Sequence, residues 1–166
     1  MDYEIRRAKI GDEDTFAYIQ TESWKSAFQH ILTPEEALQE ATQIDRATLM
    51  YRRILERNYG NGYLLTVDGK DHCIAWWSAS RSEDMSDYAE LICIHSLPDN
   101  RRKGFGSKMM DKVLHDAAAA GYKKIMLWVF EKNTQARHFY ESHGFTPSGK
   151  VKFDFATTEI CYEREL

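Results

Sequence analysis

Apolar and polar positions follow two rhythms along this chain. Tyr3 to Lys9 alternates weakly, which predicts a first strand. After Asp12 and Asp14, either of which can cap a helix, Phe16, Ile19, Trp24 and Phe28 recur at helical spacing. Thr33-Pro34-Glu35-Glu36 reads as a capping box with Pro34 at the first helical position, and helix, broken once, extends to near Arg57. Gly60 to Gly62 ends that region. Two strand-like runs then flank a polar loop containing Asp68-Gly69, a hairpin signal, and Tyr88 to Leu97 is apolar enough for a central strand. Met109, Met110, Val113, Leu114, Ala117 and Ala118 predict a helix that Gly121 stops. Lys123 to Phe130 reads as a buried strand, Asn133 to Gly144 as a short helix capped by Asn133, and strands follow around Phe153 and Glu159 to Leu166.

The order is strand, two helices, three strands, helix, strand, helix, two strands. Strand–helix–strand succession in the second half needs a crossover, so part of the sheet is parallel. The expectation is one mixed α/β (α+β) domain over residues 1–166, with helices flanking the sheet and no repeat or linker.

Composition narrows the class. At 166 residues, 43% hydrophobic and 29% charged, the chain suits one soluble globular domain. A formal net charge of -4 argues against a general nucleic-acid binder. No apolar run reaches the length of a membrane span, and the start lacks the apolar core of a signal peptide, so the expected setting is cytoplasmic. Cys73, Cys93 and Cys161 form no C-x-x-C pair and no metal-ligand spacing, and read as free, mostly buried thiols.

Against that acidic background, Asp99 to Met110 sets Arg101, Arg102 and Lys103 beside Gly104 and Gly106, just where a helix begins. A strand, a glycine turn and a helix N-terminus present free N–H groups at a positive dipole end, which suits a phosphate group. The dinucleotide fingerprint fails because Met109 stands where its third glycine belongs, and the P-loop spacing is also wrong. The same residues also suit a tight turn with solvated charges.

Arg101-Arg102-Lys103-Gly104-Phe105-Gly106 resembles the R-x-x-G-x-G acetyl-CoA pyrophosphate loop of the GNAT superfamily of N-acetyltransferases. Asn133 to Phe145 is similar to that family's N-x-x-A-x-x-F-Y-E-x-x-G-F, and Ala89 to Asn100 to the strand that enters the loop. Ser96 stands where the family usually has a β-branched apolar residue. The likeness covers roughly Ala89 to Phe145, and the element order of the remainder fits.

The resemblance implies a fold with two splayed central strands. The pantetheine arm of acetyl-CoA would pair with the exposed backbone of Ile94, His95 and Ser96. The loop Arg101, Arg102, Lys103, Gly104, Phe105, Gly106 and Ser107 would take the pyrophosphate. Asn133 would contact the arm while capping its helix. Tyr140 matches the family's general acid, and a backbone N–H near Ile94 would serve the developing oxyanion; Phe139-Tyr140 equally suits plain core aromatics. Glu90 and His95 are candidate bases, beside a water chain. Regular alternation sets those two on opposite faces, so both can line one site only across a bulge. Cys93 reads as a buried thiol, and transfer as direct.

Trp24, Phe28, Trp76, Trp77 and Tyr88 are candidate walls for an acceptor amine, through cation–π contact, or else core. The adjacent Trp76 and Trp77 face opposite sides of a strand. The expected reaction moves an acetyl group from acetyl-CoA to the primary amine of a small molecule, in a monomer or homodimer. A protein N-terminus or lysine as acceptor, which needs an open groove flanked by acidic residues, stays open, as does a non-catalytic CoA-binding sensor.

Overall fold

The computed structural model describes residues 1–154 and 157–166. These form seven strands and five α-helices: β1 (Tyr3–Arg7), α1 (Glu13–Ala27), α2 (Glu35–Ala41), α3 (Ile44–Glu56), β2 (Asn61–Val67), β3 (Lys70–Ala79), β4 (Ala89–Ser96), α4 (Phe105–Ala119), β5 (Lys124–Phe130), α5 (Thr134–Ser142), β6 (Thr146–Asp154) and β7 (Thr157–Glu165). The strands make a single sheet in the order β1-β2-β3-β4-β5-β7-β6. All neighbours are antiparallel except β4 and β5, whose connection through α4 makes them parallel.

Helices cover both faces. On one, Met109, Met110, Val113 and Ala117 of α4 bury against Tyr63, Ala75, Trp77 and Leu91. On the other, Phe16, Ala17 and Ile19 of α1 and Ala47 and Tyr51 of α3 meet Leu64, Ile74 and Trp76. The helical periodicities therefore mark real contact stripes. Asp12 caps α1 without a side-chain bond to the helix; its carboxylate instead grips Arg6 at 2.8 and 2.9 Å and the Lys9 amide at 2.8 Å, closing the turn from β1.

The capping box does not form: Pro34, not Thr33, occupies the N-cap of α2 with extended dihedrals, and no side-chain cap bond is made. The two features that shape the site lie in β4. Its pairing with β5 covers Ala89, Glu90 and Leu91 and then stops, so among the described residues the two strands diverge beyond Leu91. And from Leu91 to Cys93 the register advances two residues against one on β3, from Trp77 to Trp76. Ile92 is thus the extra residue of a β-bulge.

Candidate active site

The stretch from 101 to 107 separates backbone from side chains. Arg102 has φ +63° and Gly104 φ +85°, which turn the chain sharply into α4. The first helical acceptor bond comes from Lys108 N–H to the Gly104 carbonyl at 3.2 Å, and the amides of 105 to 107 precede it at the positive helix end. Meanwhile the side chains are committed elsewhere. Arg101 donates to the Ser23 carbonyl (3.1 Å), Ser23 Oγ (3.2 Å) and Ser26 Oγ (3.2 Å), all on α1. Phe105 is 6% exposed in the core, and Ser107 Oγ bonds His143 Nε2 at 3.1 Å. Arg102 and Lys103 are exposed beside the turn. Gly106 is open to the neighbouring cleft, and an added Cβ there would meet the Phe139 ring at 3.5 Å. Helix-end amides, two exposed cations and a missing methyl group fit a diphosphate.

The turn opens into a cleft of about 1230 Å³ between the diverging ends of β4 and β5. Ile92 to Ser96 form one edge, Trp128 to Phe130 the other. Each strand is paired on its far side, with β3 and β7, so the facing backbone edges are left for a ligand that adds like a strand. Asn133 caps α5, accepting the Ala136 amide at 3.2 Å, and lines the cleft together with Tyr140.

Tyr140 is partly buried, and burial raises its hydroxyl well above the ordinary phenol value, with Cys93 adding to the effect. It is a protonated donor at any physiological pH. Burial likewise pushes the Cys93 thiol up to about 11. A thiol so rarely ionised is a poor nucleophile. Tyr51 of α3 donates to Gln20 Oε1 of α1 and lies 3.8 Å from Cys93 Sγ.

The bulge at Ile92 brings Glu90 and His95 onto the same face, so both line the cleft. Each is already engaged. Trp24 Nε1 donates to His95 Nε2 at 3.0 Å, which leaves the ring proton on Nδ1, and burial, aided by the Arg101 charge, lowers its pKa to about 4. Glu90, 2% exposed, accepts the Arg81 amide (2.9 Å) and Nε (3.3 Å) on Oε1 and Arg81 Nη2 (2.5 Å) on Oε2.

Of the aromatic candidates, Trp24, Phe28 and Trp76 line the cleft. Trp77 lies on the opposite face, buried, its Nε1 donating to Tyr63 Oη at 3.0 Å. Tyr88 packs near Met126 and Cys161 and donates to Glu163 at 3.2 Å, away from the cleft. Residues that pattern reading did not single out also line it: Gln20, Tyr51, Tyr59 and Arg81. Tyr51 carried a signal as a polar-tipped residue on the buried stripe of α3; Arg81, in a polar loop, carried none.

The pattern that defines the Acetyltransferase (GNAT) family matches residues 21–145. An uncharacterized N-acetyltransferase of Archaeoglobus fulgidus is 27% identical over 144 residues, 84% of this chain and 90% of that protein. The uncharacterized N-acetyltransferase YuaI of Bacillus subtilis is 23% identical over 158 residues, 94% of this chain and 87% of that protein. In fold, the PaiA N-acetyltransferase from Thermoplasma acidophilum, solved in complex with coenzyme A, superposes with a TM-score of 0.81 at 19% identity over 100% of both chains. With the glycine turn, the diverging strands and the helix bearing Tyr140 in place, the chain belongs to the GNAT family of acetyltransferases.

Proposed function

We propose that this enzyme acetylates the primary amine of a small molecule by direct transfer. The observation that carries the reading is the walled acceptor end of the cleft. Trp24 of α1 bonds His95 of β4, and Phe28 packs edge-on against Phe130 of β5 with centroids 4.9 Å apart, so α1 bridges the two diverging strands. Among the described lining residues the carboxylates are Glu90 and Glu159, each with a cationic partner, Arg81 and Lys152. An open groove with acidic flanks, which a lysine tail or basic N-terminus asks for, is not what these residues build.

The cofactor supplies the acetyl group as a thioester. The amides of 105 to 107, with Arg102 and Lys103, hold its diphosphate, and the edge from Ile92 to Ser96 orients its arm. Tyr140 donates its hydroxyl proton toward the departing sulfur. An N–H near Ile94, freed by the divergence, faces the developing oxygen charge. His95 and Glu90 are both hydrogen-bonded already, so the acceptor's proton leaves through water held at the edge these two residues form. The weakly acidic Cys93 thiol stays a spectator.

Incubation with acetyl-CoA and a panel of small primary amines, following free thiol, tests this directly. Turnover with small amines is the expected result. Coenzyme A binding without turnover of any amine would leave a sensor, and turnover confined to peptide N-termini or lysines would move the acceptor to proteins.

A further inference from the structure

Arg81 lies at the acceptor end of the cleft, in the connection from β3 to β4, and the transfer chemistry leaves it without a task. Its position is set from below. Glu90 holds it by the backbone amide and by the Nε–Nη2 edge, and the loop is pinned on either side, with Ser80 N–H on the Tyr88 carbonyl (2.9 Å) and Ser82 N–H on Ser80 Oγ (3.1 Å).

The pair is lopsided. The Glu90 side chain is 2% exposed, whereas that of Arg81 keeps 56% of its surface open. A guanidinium has five N–H donors in a rigid fork, and Glu90 uses the inner edge. Among the described residues Nη1 has no acceptor, so the outer Nη1–Nη2 edge is a second fork on a side chain that lines the cleft. Arg101, whose hydrogen-bond partners are neutral oxygens of α1, adds positive charge to the same lining. Cys93 and Tyr140 line the same cleft as Arg81. Tyr59 and Trp76, joined by the Trp76 Nε1 bond to the Tyr59 carbonyl at 3.1 Å, wall the space beside it.

We propose that Arg81 binds the carboxylate of the acceptor, so that the amine acetylated here belongs to an amino-acid-like molecule with its carboxylate a short chain away. The proposal rests on the small-amine reading above and narrows it. The buried Glu90 aims the fork, and the acceptor's two oxygens accept from its outer edge.

The test compares free amino acids with their own amides as acceptors, using free-thiol release, with each rate referred to the neutral-amine fraction because the amide also lowers the basicity of its amine. The wild-type enzyme is expected to favour the acids about 10- to 100-fold in kcat/KM, the worth of a charge-assisted fork. Arg81→Lys, which keeps a charge for Glu90 but not the fork, is expected to shrink that ratio by raising KM for the acids. The charge-neutral pair Arg81→Gln with Glu90→Gln is expected to bring it near one, its folding checked by circular dichroism. Because the readout is a ratio, a general loss of catalysis in the double variant leaves it intact. Amides accepted as well as acids by the wild type, or an acid preference that survives both variants, would overturn the proposal while leaving the small-amine reading standing. No turnover of either series would overturn the proposal, and the small-amine reading would fall with it only if the wider panel of primary amines were also refused with coenzyme A still bound.

Discussion

A backbone at φ +85° and a missing methyl group decide what the start of α4 can hold. Gly104 is needed for its dihedral, since an L side chain in the left-handed region costs about 1–2 kcal/mol. Gly106 is needed for space. The two substitutions therefore separate. Gly104→Ala should lower stability by roughly 1 kcal/mol in urea unfolding and weaken coenzyme A binding with it. Gly106→Leu should leave unfolding nearly unchanged yet raise the coenzyme A dissociation constant by calorimetry about tenfold or more; unaltered binding would remove the loop from the site. Tyr140→Phe should cut kcat about 10- to 100-fold near neutral pH with cofactor affinity kept; unchanged turnover would dismiss the hydroxyl as proton donor. His95 offers a check on electrostatics. Its folded pKa of about 4 lies below the ordinary 6.5, so the unfolded chain takes up a proton that the folded one refuses. That part of the stability is complete above about pH 6.5 and is lost as pH falls toward 4. Wild type should lose more stability than His95→Gln between those limits, and equal slopes would place the imidazole in water.

At the scale of elements, Arg101 ties the glycine turn to α1, whose last turns carry Trp24 and wall the cleft. Arg101→Ala removes three hydrogen bonds from one cation and should cost about 1–3 kcal/mol of stability. It should also speed amide hydrogen exchange through Ser23 to Ala27; exchange unchanged there would mean that α1 is held by its apolar face alone. The longer helices and strands were legible from their apolar stripes, and the glycine turn because its spacing together with Asn133 to Phe145 resembles one family, where two glycines beside three cations alone also suit a plain turn. The register of β4 was not. A one-residue bulge at Ile92 leaves no mark within the apolar stretch Leu91 to Ile94, yet it decides that Glu90 and His95 share a face. Nor could pattern say which of Trp76 and Trp77 meets the cleft, or that Tyr88 is drawn to the Glu163 side. Thr33 failed as a cap because the backbone puts Pro34 there instead.

Across the whole molecule, the site is a consequence of sheet topology. One parallel pair amid antiparallel neighbours, joined by α4, lets β4 and β5 part after Leu91, and the glycine turn sits at the mouth of that gap. On the reading proposed above, a ligand enters there as a substitute strand, its charged end on the amides of α4. A crystal structure of the chain with coenzyme A tests this most directly. The account predicts the diphosphate against the amides of residues 105 to 107 and the arm along Ile92 to Ser96; a diphosphate seated elsewhere, or an arm lying outside the gap between β4 and β5, would contradict it.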